Sequence, residues 1–335
     1  MPRKSTQPVS PLTPHTMNAA TINRVGGPGV LKLQTVSVPK LSPHDVLIAL
    51  RAAGVGVWDA DIRKGWWPSG RPKFPLILGS DGAGVIVAKG ARVRGFRIGE
   101  SVWAHEFLNP KGGFYAEYAA VPAEHVARIP KGLDLLHAGA ATATALTAQQ
   151  GIDNELRARR GETVLVFGAT GAVGSLAVQF AKSRGATVIA TASGVKARRF
   201  IVGLGADATF DARAADASKR LAALAPEGID AVIAFAGGDV LDKCLDLVKP
   251  NGRVAFPYGV EPEPRKARRR IKVSAYDADA SPRSFAKLAR AVEKAKLNVA
   301  IAATYPLAHA ARAHERLARG GVLGRIVLRM TRSSR

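Results

Sequence analysis

Residues 164–181 read Val164-Leu-Val-Phe-Gly168-Ala-Thr-Gly171-Ala-Val-Gly174-Ser-Leu-Ala-Val-Gln-Phe-Ala181. An apolar, β-branched run leads into three glycines spaced three apart. A segment with apolar residues at Val173, Leu176, Ala177 and Phe180 then follows, which is helical spacing. Counted from Ala169, the pattern Ala-x-Gly-x-x-Gly differs by one residue from a dinucleotide-binding turn. In that reading Gly171 lets backbone amides reach a pyrophosphate, and Gly174 lets the helix pack close to the strand. The helix N-terminus adds N–H donors and the positive end of a dipole. Gly168, Ala169, Thr170, Gly171, Ala172, Val173 and Gly174 are the expected contacts. The plainer reading is a tight strand–helix turn whose glycines serve packing alone. A P-loop is excluded, because no Gly-Lys-Ser/Thr follows.

The surroundings favour the dinucleotide. β-like runs at 163–167, 187–191, 207–210, 229–235 and 253–256 alternate with helix-length segments at 173–184, 195–204, 214–224 and 240–248. Such alternation predicts a parallel sheet covered by helices on both faces. A further β-like run at 271–275 and a helix at 281–295 complete this half. From 18 to 130 the chain instead shows short β-like runs (46–53, 84–88, 100–104, 115–121) between glycine- and proline-rich turns, the mark of a β-rich, looped unit. Residues 138–150 are helical in character, and 324–329 return to β-like sequence.

No acidic residue lies between Glu162 and Asp207, where NAD-binding turns place a carboxylate for the ribose hydroxyls. Ser193, Lys196 and Arg198 or Arg199 stand there instead. A hydroxyl and two cations suit a 2′-phosphate. At about 1.5–3 kcal/mol per charge-assisted bond, two such contacts favour NADP(H) by roughly a hundredfold. The alternative is that the cations form the solvated face of the next helix.

The chain has 335 residues, enough for two domains, with a formal charge of +23 and one cysteine, Cys244. A lone cysteine excludes an internal disulfide and a four-thiolate zinc site. The sequence has no apolar run of bilayer length and no secretory h-region, so a cytoplasmic protein is expected. Residues 1–16 carry prolines 2, 8, 11 and 14 and are expected to form a disordered tail, with Met1 and Met17 both possible starts. The dense run Arg265-Lys-Ala-Arg-Arg-Arg270 with Lys272 lacks interleaved aromatics, so a solvated loop competes with a nucleic-acid patch.

Further stretches carry a resemblance. They are Ala52-Ala-Gly54-Val-Gly56-Val57-Trp58-Asp59, Pro75-Leu-Ile-Leu-Gly79-Ser80-Asp81, Gly112-Gly-Phe-Tyr115-Ala-Glu-Tyr118, the glycine turn, Gly252–Gly259 and Gly324-Arg325-Ile-Val-Leu. Over roughly 18–330 the chain resembles the medium-chain dehydrogenase/reductase superfamily, in its zinc-free quinone oxidoreductase-like branch. The resemblance implies an α/β protein. Residues 17–135 and 299–335 would form a GroES-like catalytic domain. Residues 136–298 would form a Rossmann-like, doubly wound parallel sheet, with the active site in the cleft. It places Thr142, Thr147, Phe235, Gly237, Pro257, Tyr258, Gly259 and Arg325 near the cofactor, and a homodimer contact at the sheet edge 271–275.

The zinc-dependent pattern has Cys at the position of Gly56 and His-Glu at Ser80-Asp81, so no catalytic metal is expected. Without a Lewis acid, ordinary alcohol oxidation is disfavoured. Hydride delivery to an electrophilic acceptor, a quinone or an α,β-unsaturated carbonyl, is implied instead. Val57, Trp58, Trp66 and Trp67 are the candidate pocket, and core or lid packing is the alternative. Val57 and Gly56 replace the branch's usual Asn-Pro. Tyr115 or solvent is the candidate proton source, and Asp59 either orients the pocket or caps a helix. An enoyl-thioester or alkene reductase of the same fold is one alternative. Another is an NADPH-binding protein whose basic surface takes nucleic acid. None of the five tyrosines has a lysine four residues later, which disfavours a short-chain dehydrogenase.

Overall fold

A computed structural model describes residues 14–264 and 270–330 of the chain. The N-terminal part contains β1 (Thr16–Ile22), β2 (Lys32–Ser37), β3 (Asp45–Val55), α1 (Val57–Lys64), β4 (Leu76–Ile77), β5 (Asp81–Lys89), β6 (Ser101–His105), β7 (Tyr118–Pro122) and β8 (Val126–Arg128). Next come α2 (Leu135–Gln150), β9 (Thr163–Phe167), α3 (Ala172–Ser183), β10 (Thr187–Thr191), α4 (Gly194–Gly203), β11 (Ala208–Phe210), α5 (Ala217–Leu224), β12 (Ile229–Ala234), α6 (Asp239–Leu245), β13 (Val248–Pro257), β14 (Lys272–Tyr276) and α7 (Pro282–Ala295). The chain closes with β15 (Ile301–Pro306), α8 (Ala310–Ala318) and β16 (Arg325–Arg329).

The second group builds a six-stranded parallel sheet in the order β11-β10-β9-β12-β13-β14. Strand β9 is central, and the order reverses beside it, so the glycine turn leaves the sheet at its switch point, where α/β sheets bind ligands. Expected and observed strands agree residue for residue at β9 and β10. The helix expected at 214–224 begins only at Ala217, because Asp211 first turns the chain by accepting the Arg213 N–H.

The first group forms a mainly antiparallel sheet, β15-β16-β3-β5-β6-β8 with β7 paired to β3, plus a small sheet β2-β1-β4. Strand β16 pairs antiparallel with β3, so the last described residues return to the first sheet. Thr16, expected at the end of a disordered tail, pairs with Ser37 in β1. Residues 1–13, and Arg265 to Arg269 of the basic run, lie outside the described residues.

Helix α2 joins the halves. Twelve of its residues are buried all round, Ala138 to Ala145 among them. Its alanines and Gly139 let it approach β3 closely: a Cβ on Gly139 would lie 2.6 Å from the Ala52 Cβ. Asp134 caps it by accepting the His137 N–H at 2.8 Å. Trp103 of β6 and Phe285 of α7 add a tilted ring contact at 5.9 Å between the same halves.

The turn's glycines differ in kind. Gly168 has φ +81°, a left-handed conformation that disfavours any side chain. A Cβ on Gly174 would fall 2.3 Å from the Gly168 carbonyl oxygen, whereas one on Gly171 would meet nothing nearer than 3.7 Å. Gly174→Ala is therefore expected to destabilise by about 1–3 kcal/mol through overpacking. Gly171→Ala is expected to stay within about 0.5 kcal/mol. Thermal unfolding of the two variants checks the contrast, and equal losses would contradict it.

Candidate active site

Helix α3 starts directly after Gly171, which is extended (φ −73°, ψ 176°) and offers no side-chain cap, so its first-turn N–H groups have no intrahelical acceptor. Gly168 N–H donates to Thr191 Oγ1 at 2.8 Å, fixing the turn to the end of β10. On the other side Gly324 bridges to Gly171, and its N–H donates to the Thr170 carbonyl at 3.0 Å. The strand that follows, β16, thus delivers Arg325 beside the glycine turn.

Arg325 is buried and its Nη2 lies 3.0 Å from Asp81 Oδ1. Asp81 Oδ2 accepts the Ala143 N–H of α2 at 3.0 Å. The guanidinium also lies over the Trp58 ring, 4.9 Å from its centroid. Trp58 Nε1 donates to Ser80 Oγ at 2.6 Å. His105 Nδ1 stands 3.0 Å from the Ser80 carbonyl and holds that residue from behind.

The indole rests on bare backbone at Gly56, where a Cβ would lie 2.3 Å from Trp58 Cε2. A cysteine at 56 would collide with the ring, and the group at 80 is a hydroxyl already engaged. These residues do not fit a metal ion. Among the described residues, no group of three or more His, Cys, Asp or Glu side chains could hold one.

Behind the indole runs a buried polar chain. Arg63 Nε–H donates to His314 Nδ1 at 3.3 Å, so that nitrogen carries no proton. The neutral ring therefore holds its proton on Nε2 and donates it to Tyr115 Oη at 3.1 Å. The Tyr115 hydroxyl is left to donate to Asp59 Oδ2 at 3.0 Å, which also accepts the Gly56 N–H at 2.8 Å. Asp59 Oδ1 is buried without a partner. Burial pushes the Asp59 carboxyl up to about 7, against the pull of the Gly56 N–H and Arg325. Burial and the nearby Arg63 charge push His314 down to about 3. Burial and the Asp59 carboxylate push Tyr115 well above its usual range.

The alcohol dehydrogenase GroES-like domain family matches residues 42–131, and the zinc-binding dehydrogenase family matches residues 204–328. A mouse quinone oxidoreductase is 31% identical over 326 residues, covering 93% of this chain and 97% of its own. The chain belongs to the medium-chain dehydrogenase/reductase family, among its quinone oxidoreductase-like members. It is an oxidoreductase. A solved NAD-dependent alcohol dehydrogenase superposes with a TM-score of 0.87 at 31% identity, covering 94% of this chain and all of that one. A mycobacterial protein complexed with NADPH superposes with a TM-score of 0.82 at 27% identity, covering 93% and 99%.

In this dehydrogenase/reductase chain the four candidate pocket residues do not form one wall. Trp58 lies at the Gly56–Ser80–Arg325 cluster. Trp67 lines the adjoining cavity, Trp66 is half exposed against Phe107 at 6.2 Å, and Val57 is exposed. Residues 57–64 are helical rather than looped, which turns the side chains of 57, 58 and 59 in different directions. Tyr115 is fully buried with its hydroxyl engaged, so it does not face an acceptor as a proton donor. Asp59 both caps α1 and belongs to the buried chain.

Thr142 is also fully buried, its hydroxyl donating to the Ala138 carbonyl at 2.9 Å, which withdraws it from any ligand. The Thr147 hydroxyl donates to the Ala143 carbonyl, and its own carbonyl accepts the Tyr276 hydroxyl at 2.9 Å. Phe235 packs behind Gly168, and Gly237 presses on the Pro262 carbonyl, where a Cβ would lie at 1.9 Å. Pro257 ends β13, with exposed Tyr258 and Gly259 following. Ser193 is not free: its hydroxyl donates to Asp211 at the end of β11, and Arg198 adds a favourable charge there. Lys196 and Arg198 are exposed on α4.

Asp211 escaped the sequence reading, and His314, read as a surface or core residue, is buried in the polar chain. Only folding brings His314 to Tyr115, 199 positions away. Asp211 sits one strand beyond the expected position, although its place at the end of a β-like run was a usable signal.

The two shifted groups have opposite linkage. Asp59, raised to about 7, stabilises the fold below its unfolded value of 3.8, and that contribution is lost as pH rises through 7. His314, lowered to about 3, stabilises above its unfolded value of 6.5, and that contribution is lost as pH falls through 3. Between about pH 4 and 6.5 they offset. Relative to the parent, Asp59→Asn should lose stability on acidification across this window, and His314→Gln should gain it. Urea midpoints across that range check this, and parallel profiles would refute it.

Proposed function

We propose that this protein is an NADPH-dependent, zinc-independent reductase of quinones or α,β-unsaturated carbonyls. The cofactor domain would span 136–298 and the catalytic domain 17–135 with 299–335. The observation carrying this reading is the Trp58 indole. It stands on Gly56 and Ser80, where the zinc-dependent pattern has ligands, and it is held by Arg325, one residue beyond the contact with the glycine turn. An aromatic side chain in that place suits edge contact with a planar acceptor.

The residues fit a dinucleotide. The first turn of α3 offers N–H donors to a pyrophosphate, and close packing at Gly174 leaves room above the turn. Lys196 and Arg198, exposed on α4, would pair with a 2′-phosphate, while the Ser193 hydroxyl would first have to leave Asp211; the mycobacterial protein complexed with NADPH supports this choice. Bound NADPH supplies the hydride. The protein's part is orientation and exclusion of water: Ser80 and Arg325 hold the indole, and the Asp81–Ala143 bond keeps the catalytic sheet seated on α2. The proton reaches the reduced acceptor from solvent, because Tyr115 is enclosed. Strand β14 is an edge of the parallel sheet, and pairing there would give a homodimer.

NADPH oxidation by an aromatic ortho-quinone, repeated with NADH and with a strong chelator, tests the assignment. Chelator-insensitive turnover favouring NADPH is expected. Turnover abolished by the chelator, or equal with both cofactors, would count against it. A simple enone in the same assay sorts quinone from alkene reduction.

Asp211 stays ionised beside Ser193, its carboxyl held low by the Ser193 hydroxyl and the Arg213 N–H. It therefore opposes a 2′-phosphate while suiting a ribose hydroxyl. Asp211→Asn is expected to raise the NADPH:NADH affinity ratio about tenfold, or ~1.4 kcal/mol. Tryptophan quenching titrations with both cofactors read the ratio, and an unmoved value would remove Asp211 from cofactor selection.

A further inference from the structure

Beside the Trp58 cluster lies a cavity of about 480 Å³ whose lining includes Asp59 and Ser80. That volume is within the range of small-molecule sites, ~300–1,000 Å³. Its walls are apolar: Ile62 and Trp67 from α1 and the loop after it, Leu76 and Leu78 from β4 and just beyond, and Leu108 from the loop after β6. Ser80 is shared with the indole site, because its hydroxyl accepts the Trp58 N–H. The cavity therefore adjoins the indole site at Ser80.

Three cations line the same cavity, and they are not equivalent. Lys111 is spent internally, paired with Asp45 and hydrogen-bonded to Ser42 at 2.6 Å. Arg71 and Lys73 are exposed on the loop before β4, and among the described residues neither has a hydrogen bond or ion pair. The one acid bordering the cavity, Asp59, is fully buried against α1 and Tyr115. An apolar body with unbalanced positive charge among its wall residues is the form of a site for an amphiphilic anion.

We propose that the acceptor reduced here carries an anionic group, a carboxylate or its equivalent, on an apolar body. The reducible ring or enone lies toward Trp58 and Ser80, and the anion pairs with Arg71 and Lys73. The proposal rests on the reductase reading above and specifies its substrate class. It gives part of the chain's large positive charge a local use: drawing a charged acceptor to the cleft at low ionic strength.

The test compares 1,2-naphthoquinone with its 4-sulfonate as acceptors for NADPH, in the parent protein and in R71E/K73E. Comparing the two proteins cancels the sulfonate's effect on ring reactivity. The ratio of kcat/KM for sulfonate over neutral quinone is expected to fall about tenfold or more in the variant. It should also shrink in the parent as salt rises, as exposed charges require. An equal ratio in both proteins overturns the proposal. A second readout needs no turnover: quenching of tryptophan emission by the sulfonate without cofactor, which should weaken at least tenfold in R71E/K73E. Unchanged quenching also overturns the anion site. If neither quinone oxidises NADPH, the reductase reading fails, and the quenching titration still decides the site.

Discussion

The contact on which the remainder of the site depends is the buried Arg325–Asp81 pair. One carboxylate oxygen of Asp81 takes the guanidinium and the other takes the Ala143 N–H of α2. A single side chain of β5 thereby ties the end of the chain to the helix that opens the cofactor sheet. The same guanidinium covers Trp58 and leaves no room for a side chain at Gly54, where a Cβ would lie 2.5 Å from it. Removing one partner would strand a charge in the interior, a loss on the order of 3–5 kcal/mol. The pair also explains how a strand from 325–329 can start beside a turn at 168–174: Gly324 is bonded to the turn, and Arg325 is anchored to Asp81, two strands away in its own sheet.

From that anchor the site divides into two polar systems. Trp58, Ser80 and Arg325 form one, beside the glycine turn. Asp59, Tyr115, His314 and Arg63 run behind it and are closed to solvent. Three hydrogen bonds join these side chains in series, so the chain works as a mount for α1 more than as a donor set. It holds the short helix whose first turn presents Trp58. Helix α1 has little apolar stripe of its own and begins at a glycine without a capping side chain. Its start is secured by Asp59 reaching back to the Gly56 N–H.

The cofactor half was legible because its elements are set by local chemistry. Strands 163–167 and 187–191 are short β-branched runs bounded by turn residues, and the glycine spacing between strand and helix has few other uses. The catalytic half was legible as a β-rich unit, and several of its strands were read. Helices α1 and α8 were not, since both are polar segments whose partners come from distant sequence. In the site, Gly56, Ser80 and Arg325 were read from motif positions. The scattering of Trp58, Trp66 and Trp67, the burial of Tyr115 and Thr142, and the Ser193–Asp211 bond were not.

By itself, the sequence determined the class of fold, the glycine turn between β9 and α3, and the residue types at 56 and 80, because each depends on residues adjacent in the chain or repeated at a fixed period. Tertiary structure decided which of those side chains face a ligand. Neighbours such as Val57, Trp58 and Asp59 leave a helix in different directions: one reaches solvent, one the cleft and one a buried carboxyl pocket. The acceptor of each buried donor, His314 for Arg63 or Asp59 for Tyr115, comes from elsewhere in the chain. Desolvation, which moves Asp59 and His314 in opposite directions, arises only once the sheets close over them.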